Sequence, residues 1–413
     1  MSEAAFYDEL ETRDPTAREA ELFDALRRRL EAALPHAPAL ARQLAGIDLG
    51  SLVDRASLAR IPLLRKSELA ELQRAAPPFG GFDAAALGMS RVFASPGPVF
   101  EPEAASDADF GCFARALFAA GFRRGDLVHN TFSYHFTPAG LMADAGARLL
   151  GCAVFPAGTG QSEQQVAVLA HLRPAGYVGT PSFLKILLEK AAEIRADVSS
   201  VNKALVSGEA LPVSLRAFFE AHGVAVLQCY AIGDVGVLAY ESAVREGLIV
   251  SEELLIEIVR PGTGDPVPDG EVGEVIVSSA VNPVYSLLRY ATGDLSAVLP
   301  GPSPCGRTNM RLRGWLGRAD QSAKVRGLFV HAKQVGEILR RHPEVVKARL
   351  VIARAADLDR MTLRCESDSV DPALAERIAE SIRGVCSVRG EVELVPKGSL
   401  PNDGKVIEDL RSS

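Results

Sequence analysis

The chain has 413 residues, 47% of them in the hydrophobic set and 23% charged, with a formal net charge of -7 at pH 7. More core is expected than one small domain can bury, and no block of Lys or Arg supplies a nucleic-acid footprint, so a small molecule is the expected partner. Met1 to Pro15 is acidic where an export signal needs a basic start, no apolar run approaches the roughly 20 residues that span a bilayer, and the six cysteines include no Cys-x-x-Cys pair. The expectation is a soluble, cytoplasmic protein with reduced thiols and no membrane partner.

In chain order, Leu22, Leu26 and Leu30, flanked by Phe23 and Leu34, recur at helical spacing from Arg18 until Pro35 ends the pattern. After Ser106 and Asp107, the residues Phe110, Phe113, Leu117 and Phe118 predict a second amphipathic helix, which stops at Gly121 and leads into a strand-like run, Asp126 to Phe132. Helix and strand then alternate through Ser162 to Leu172, Ala175 to Val178, Pro181 to Ile194, Lys203 to Val206, Val213 to His222 and Val224 to Cys229. That alternation predicts an α/β fold with a mostly parallel sheet covered by helices. From about Leu248 the pattern changes to Leu255 to Val259 and Val272 to Val277, separated by Gly262, Gly264, Pro266, Pro268 and Gly270, which predicts an antiparallel β subdomain. The final ninety or so residues predict a small α+β unit, with Arg349 to Ala353, Thr362 to Cys365 and Val392 to Val395 as strands. Its best helix starts at the cap Asp371 with Pro372 at the first position and continues through Leu374, Ile378 and Ile382.

Four short segments carry chemistry in a fixed order: Tyr290-Ala-Thr-Gly-Asp294, Gly317-Arg318-Ala-Asp320, Arg326-Gly327 and Gly404-Lys405. In this order and at these separations they resemble the adenylate-forming (AMP-binding) superfamily. Leu58-Ala-Arg-Ile-Pro-Leu-Leu-Arg-Lys66, Pro181-Ser-Phe-Leu184, Cys305-Gly-Arg-Thr308 and the short C-terminal unit are similar to its phenylacetate-CoA ligase branch. The resemblance implies a large N-terminal AMP-binding domain, 1-319, and a small mobile C-terminal lid, 320-413, that rotates about a hinge at Asp320. It also implies an enzyme that uses ATP and Mg²⁺ to convert a carboxylic acid, expected to be aromatic, into an acyl-AMP. The acyl group then passes to CoA or to the thiol of an acyl-carrier protein; a homodimer is also among the expected partners.

The same resemblance assigns roles. Asp294 should accept both ribose hydroxyls, since a carboxylate makes stronger bonds than a neutral acceptor, and Arg318 should support it with a planar fork. Lys405 should act on the charge that develops between carboxylate and α-phosphate. Tyr230 should pack on adenine, Ser207-Gly208-Glu209 should lie beside adenine and the acyl pocket, and Asp234 should hold Mg²⁺ through a hard oxygen. Phe132, Tyr134, His135 and Phe136 should line an aromatic-acid site. Each has a plainer alternative: a turn cap for Asp294, a solvated arginine for Arg318, an exposed lysine for Lys405, a strand end for Tyr230 to Asp234, and core packing for the aromatics.

Two departures from the family pattern stand out. The expected phosphate loop reads Arg91-Val-Phe-Ala-Ser95-Pro-Gly-Pro-Val-Phe-Glu101. Pro96 and Pro98 offer no N–H, the lysine is missing and Glu101 would repel phosphate. A Cys/His zinc cluster of the branch is met here by Ser242, Ile249 and Ser303, leaving Cys305 alone, so no zinc is expected. The altered loop keeps two alternatives open: a relative that binds AMP or an acyl-adenylate without efficient ATP use, and a noncatalytic scaffold.

Overall fold

The computed structural model describes residues 5–95, 98–105, 109–279, 281–319, 322–325, 328–355, 358–368, 371–402 and 405–410. Packing divides the chain into two compact units, the first of Met1–Ile256, Val277–Tyr290 and Leu299–Gly314, the second of Glu257–Ile276, Ala291–Val298 and Trp315–Ser413.

The first unit opens on the expected amphipathic helix, Pro15–Ala33. Asp14 caps it by accepting from Ala17 N–H, and Pro15 stands where the missing N–H costs nothing. The predicted α/β alternation builds a sheet with five parallel strands in the spatial order Ala225–Ile232, Lys203–Val206, Gly176–Gly179, Leu127–Asn130, Ala153–Pro156. It continues antiparallel through Gly236–Glu241, Leu248–Val250 and Arg311–Leu312. Successive residues of a strand face opposite ways, so both faces need cover. Leu205 packs with Phe113, Leu117, Val128 and Met142 on one face, while Ala204 and Val206 pack with Val166, Leu187 and Phe219 on the other. Among the described residues no helix is long and apolar enough to cross a membrane.

The strands Leu254–Val259, Gly273–Ser279 and Tyr290–Ser296 form a separate sheet, linked by the predicted Gly- and Pro-rich turn. Near the C-terminus, Glu391–Val395, Leu358–Ser367, Val345–Ala355 and Ile407–Asp409 lie side by side in that order. Helices Ala332–Arg341 and Pro372–Cys386 share a core with them that includes Val335, Ile338, Leu350, Leu363, Ile378 and Ile382. Asp371 caps the second helix through Ala373 N–H, as its position before Pro372 predicts.

The packing division differs from the sequence division at 319/320, because 257–276, 291–298 and 315–319 group with the C-terminal residues. The reason is local. Val272 N–H donates to Asn402 Oδ1 at 3.3 Å, and the Gly262 backbone lies against Ala332 and Gly336, where a side chain would crowd. Asp320, the expected hinge, lies outside the described residues.

At the position of the expected phosphate loop, Met89–Ser95 and Val99–Ala104 pair as an antiparallel hairpin with Ser95 opposite Val99 and Phe93 opposite Glu101. Of the three residues between Ser95 and Val99, Pro96 and Gly97 lie outside the described residues. The second strand is buried at Val99 and from Glu101 to Ala104, so two acidic side chains, Glu101 and Glu103, are drawn inside.

Candidate active site

Parallel strands deliver their C-terminal loops to one edge of the sheet, the usual place for a ligand in an open α/β fold. Here Leu127–Asn130 leads to Phe132–Phe136, Lys203–Val206 to Ser207–Glu209, and Ala225–Ile232 to Asp234. Ser207 Oγ donates to Cys229 O at 2.8 Å and ties two of these strand ends together. Gly208 and Glu209 are exposed, and the Glu209 carboxylate accepts from Ser182 Oγ at 2.9 Å and Ser182 N–H at 3.2 Å, at the start of helix Pro181–Ile194. Tyr230 is buried on its strand.

The four expected acyl-site residues divide. Phe132 is part of the core. Tyr134 Oη accepts from Asn130 Nδ2 at 2.8 Å, and burial raises its phenol above the usual range. His135 is exposed, and Phe136 is 82% exposed at a left-handed φ of 61°. A bulky side chain held at positive φ is strained, and such strain collects at functional positions.

Asp234 has a buried carboxylate with two partners drawn from distant segments. Lys66 Nζ, at the start of helix Lys66–Ala75, donates to Oδ2 at 2.5 Å, and Tyr290 Oη donates to Oδ1 at 2.8 Å. Burial and then the Asp234 charge hold the Tyr290 phenol far above its usual range. Beside them stands Glu101, 4% exposed, with no well-formed hydrogen bond to either oxygen and with the Ser95 hydroxyl and the Asp234 carboxylate as its polar neighbours. Burial first, and then repulsion from Asp234, push its carboxyl up to about 8.

The sequence assigns Mg²⁺ to Asp234. In the structure the Asp234 charge is met by the Lys66 ammonium, Gly233 brings no hydroxyl, and among the described residues no group of three or more His, Cys, Asp or Glu is placed to hold a metal by protein ligands alone, which leaves Asp234 as one hard oxygen donor that an ion carried by ATP phosphates would share. Lys66 and Tyr290 were not among the predicted site residues. They lie 168 and 56 positions from Asp234 in the chain, and no spacing rule connects them.

In the second unit, Asp294 Oδ1 accepts from Arg318 Nη1 and Trp315 Nε1, both at 3.0 Å. Gly293 makes the approach feasible: its φ is +76°, and a Cβ there would sit 2.6 Å from Arg318 Nη2. The motif pair Asp294 and Arg318 is thus brought together, and Trp315, the chain's single tryptophan, joins it without having been singled out. Its closeness to Arg318 in sequence and its uniqueness were the available signals. Lys405 is exposed and stands just before the strand Ile407–Asp409.

Residues 111–283 match the family model described as AMP-binding enzyme. The chain is 32% identical over 405 residues to the phenylacetate-coenzyme A ligase of Thermus thermophilus, covering 89% of this chain and 90% of that protein. It is 27% identical to the phenylacetate-coenzyme A ligase of Escherichia coli K12, covering 89% of each. Among solved structures, 2-hydroxyisobutyryl-CoA ligase in complex with 2-HIB-AMP and CoA, in its thioester-forming state, aligns with a TM-score of 0.72 at 25% identity over 100% of this chain and 94% of that one. The same ligase in its postadenylation state with 2-HIB-AMP aligns with a TM-score of 0.73 at 25% identity, over the same shares of both chains. With 32% identity sustained across about nine-tenths of both proteins, and the fold shared along its whole length with an acyl-CoA ligase, this chain belongs to the phenylacetate-coenzyme A ligase family of adenylate-forming acid–thiol ligases.

Proposed function

We propose that this enzyme activates an aromatic carboxylic acid with ATP and hands the acyl group to CoA. The observation that carries the nucleotide half is the arrangement at Asp294. One carboxylate oxygen is fixed by Arg318 and Trp315, which orients the group as a ready acceptor for ribose hydroxyls. The relatives named for phenylacetate and CoA support the choice of acid and acceptor. In the first half-reaction a carboxylate oxygen of the acid bonds to the α-phosphorus and pyrophosphate leaves. In the second, a thiolate sulfur bonds to the acyl carbon and AMP leaves.

Lys405 is the proposed electrostatic catalyst of the first step, an ammonium at the place where negative charge builds up. Tyr230 is proposed to pack on adenine, Ser207, Gly208 and Glu209 to border the same pocket, and Tyr134, His135 and Phe136 to meet the acid. The hairpin around Pro96 to Glu101 offers fewer N–H donors than a Ser/Thr/Gly-rich loop, so adenylation is expected to be slow beside that of the relatives. Mg²⁺ is proposed to arrive with ATP, held by its phosphates, with Asp234 as the protein's oxygen ligand.

The test is acid-dependent exchange of pyrophosphate into ATP across a panel of aryl acids, then thioester formation with CoA and with a phosphopantetheinylated carrier protein. Lys405→Ala should lower exchange by about two to three powers of ten, the cost of one preorganised donor, and leave nucleotide affinity nearly unchanged. No exchange with any acid, together with no binding of AMP, would remove the proposal.

A further inference from the structure

The hairpin that stands at the phosphate-loop position carries a feature the ligase reaction does not use. Glu101 and Glu103 alternate on one strand, so both point the same way, and both are only 4% exposed. Glu103 Oε1 accepts from Arg91 Nη1 at 2.7 Å, while Glu103 Oε2 and both oxygens of Glu101 are buried and make no well-formed hydrogen bond, with the Ser95 hydroxyl and Asp234 as the polar neighbours of Glu101. The cations nearby are already engaged: Lys66 with Asp234, Arg91 with Glu103. Glu101 and Glu103 both line one cavity of about 30 Å³, whose wall also includes Phe93, Phe110, Asp234 and Tyr285. That volume holds about two water-sized groups, too little for a ring and enough for an ammonium.

Two further observations describe how the cavity is bordered. Gly233 leaves it open: a Cβ there would lie 2.8 Å from Ser95 Oγ and 3.6 and 3.7 Å from the two Glu101 oxygens. The hairpin is also bonded to the exposed aromatic segment, since Ala94 N–H donates to Phe136 O at 2.8 Å, and Phe93, opposite Glu101, stacks on Phe110. With its carboxyl pushed up to about 8, Glu101 keeps its proton at neutral pH; an N–H-bearing cation would let it ionise and would turn the cost of that buried charge into charge-assisted hydrogen bonds.

We propose that Glu101 and Glu103 form an acceptor site for a primary ammonium group, carried by the carboxylic acid that the enzyme activates. The substrate class is then an amino-substituted acid, with its carboxylate at the reacting end and its ammonium in the cavity behind Gly233. This rests on the ligase function proposed above for the identity of the ligand, but the ammonium site can be tested without turnover.

The first measurement is calorimetry on the full chain with methylammonium chloride against potassium chloride at constant ionic strength. Methylammonium should bind and potassium should not, and Glu101→Gln or Gly233→Ser should each weaken methylammonium about tenfold or more. Gly233→Ser fills the cradle and leaves both acidic residues in the chain, so it decides the matter if Glu101→Gln fails to fold. The second measurement compares exchange with 4-methylbenzoate and 4-(aminomethyl)benzoate. The amine-bearing acid should be favoured at least about tenfold in kcat/KM, with the ratio falling toward one in Glu101→Gln and Glu103→Gln. Equal binding of potassium and methylammonium, or a preference ratio at or below one in the unmodified protein, overturns the site. If neither acid supports exchange while methylammonium binds in a Glu101-dependent way, the ammonium site stands and the ligase proposal falls.

Discussion

Asp234 and Asp294 are two solutions to one problem. Each is a buried carboxylate held by one cation and one aromatic donor: Lys66 and Tyr290 for the first, Arg318 and Trp315 for the second. They differ in surroundings. Arg318 and Asp294 are 48% and 10% exposed, Lys66 and Asp234 31% and 0%, and Asp234 lies beside a second buried acid, Glu101. An ion pair near solvent is cheap to form and cheap to break, while a buried carboxylate depends heavily on its cation. The Asp294 group is therefore suited to exchange partners with an arriving ligand, and the Asp234 group to hold its own.

The largest expected effect that tests this contrast is Lys66→Met, which leaves Asp234 and Glu101 facing each other. About 3 kcal/mol of stability should be lost, at the low end for a broken buried pair because Lys66 is partly exposed, as read by urea denaturation. A loss near zero would make the two carboxylates equivalent and break the comparison. Next is Asp294→Ala, which should weaken AMP and ATP by the same factor, about thirtyfold, if both make the ribose contact proposed for it. Asp234→Asn should leave AMP affinity alone, and parallel titrations monitored by Trp315 fluorescence would show it. Arg318→Met should cost only about 1 kcal/mol of stability, because its pair with Asp294 is half in water.

The smallest effect concerns pH. With its carboxyl raised from 4.5 to about 8, Glu101 binds a proton more tightly in the folded state than in the unfolded one. Its contribution to stability is complete below pH 4.5 and is lost as pH rises through 8. Glu101→Gln removes that loss, so its melting temperature should gain on the parent between pH 6 and pH 9 by roughly 3 °C. An unchanged difference across that range would show that Glu101 ionises without penalty and would weaken the contrast with Asp294.

Local pattern was enough to find the helices and strands and one of the two carboxylate groups. Ser162–Leu172, Pro181–Ile194 and Lys203–Val206 fall where the periodicity places them, because a strand buried on both faces must be apolar throughout and its helices must show one apolar stripe. Asp371 and Pro372 announce their helix by capping chemistry alone. Asp294 and Arg318 were legible because they lie 24 positions apart in recognisable turns of one segment. The other group depended on how the chain packs. Packing paired Arg91 to Ser95 with Val99 to Glu103 where a loop was expected, since strand pairing depends on a partner strand that no local pattern names. It also brought Lys66, Glu101, Asp234 and Tyr290 from four separate segments to one place. Contacts of that range are fixed by how the sheets and helices pack, and the energies that favour them, a buried charge finding its cation, do not exist until the chain has closed around them.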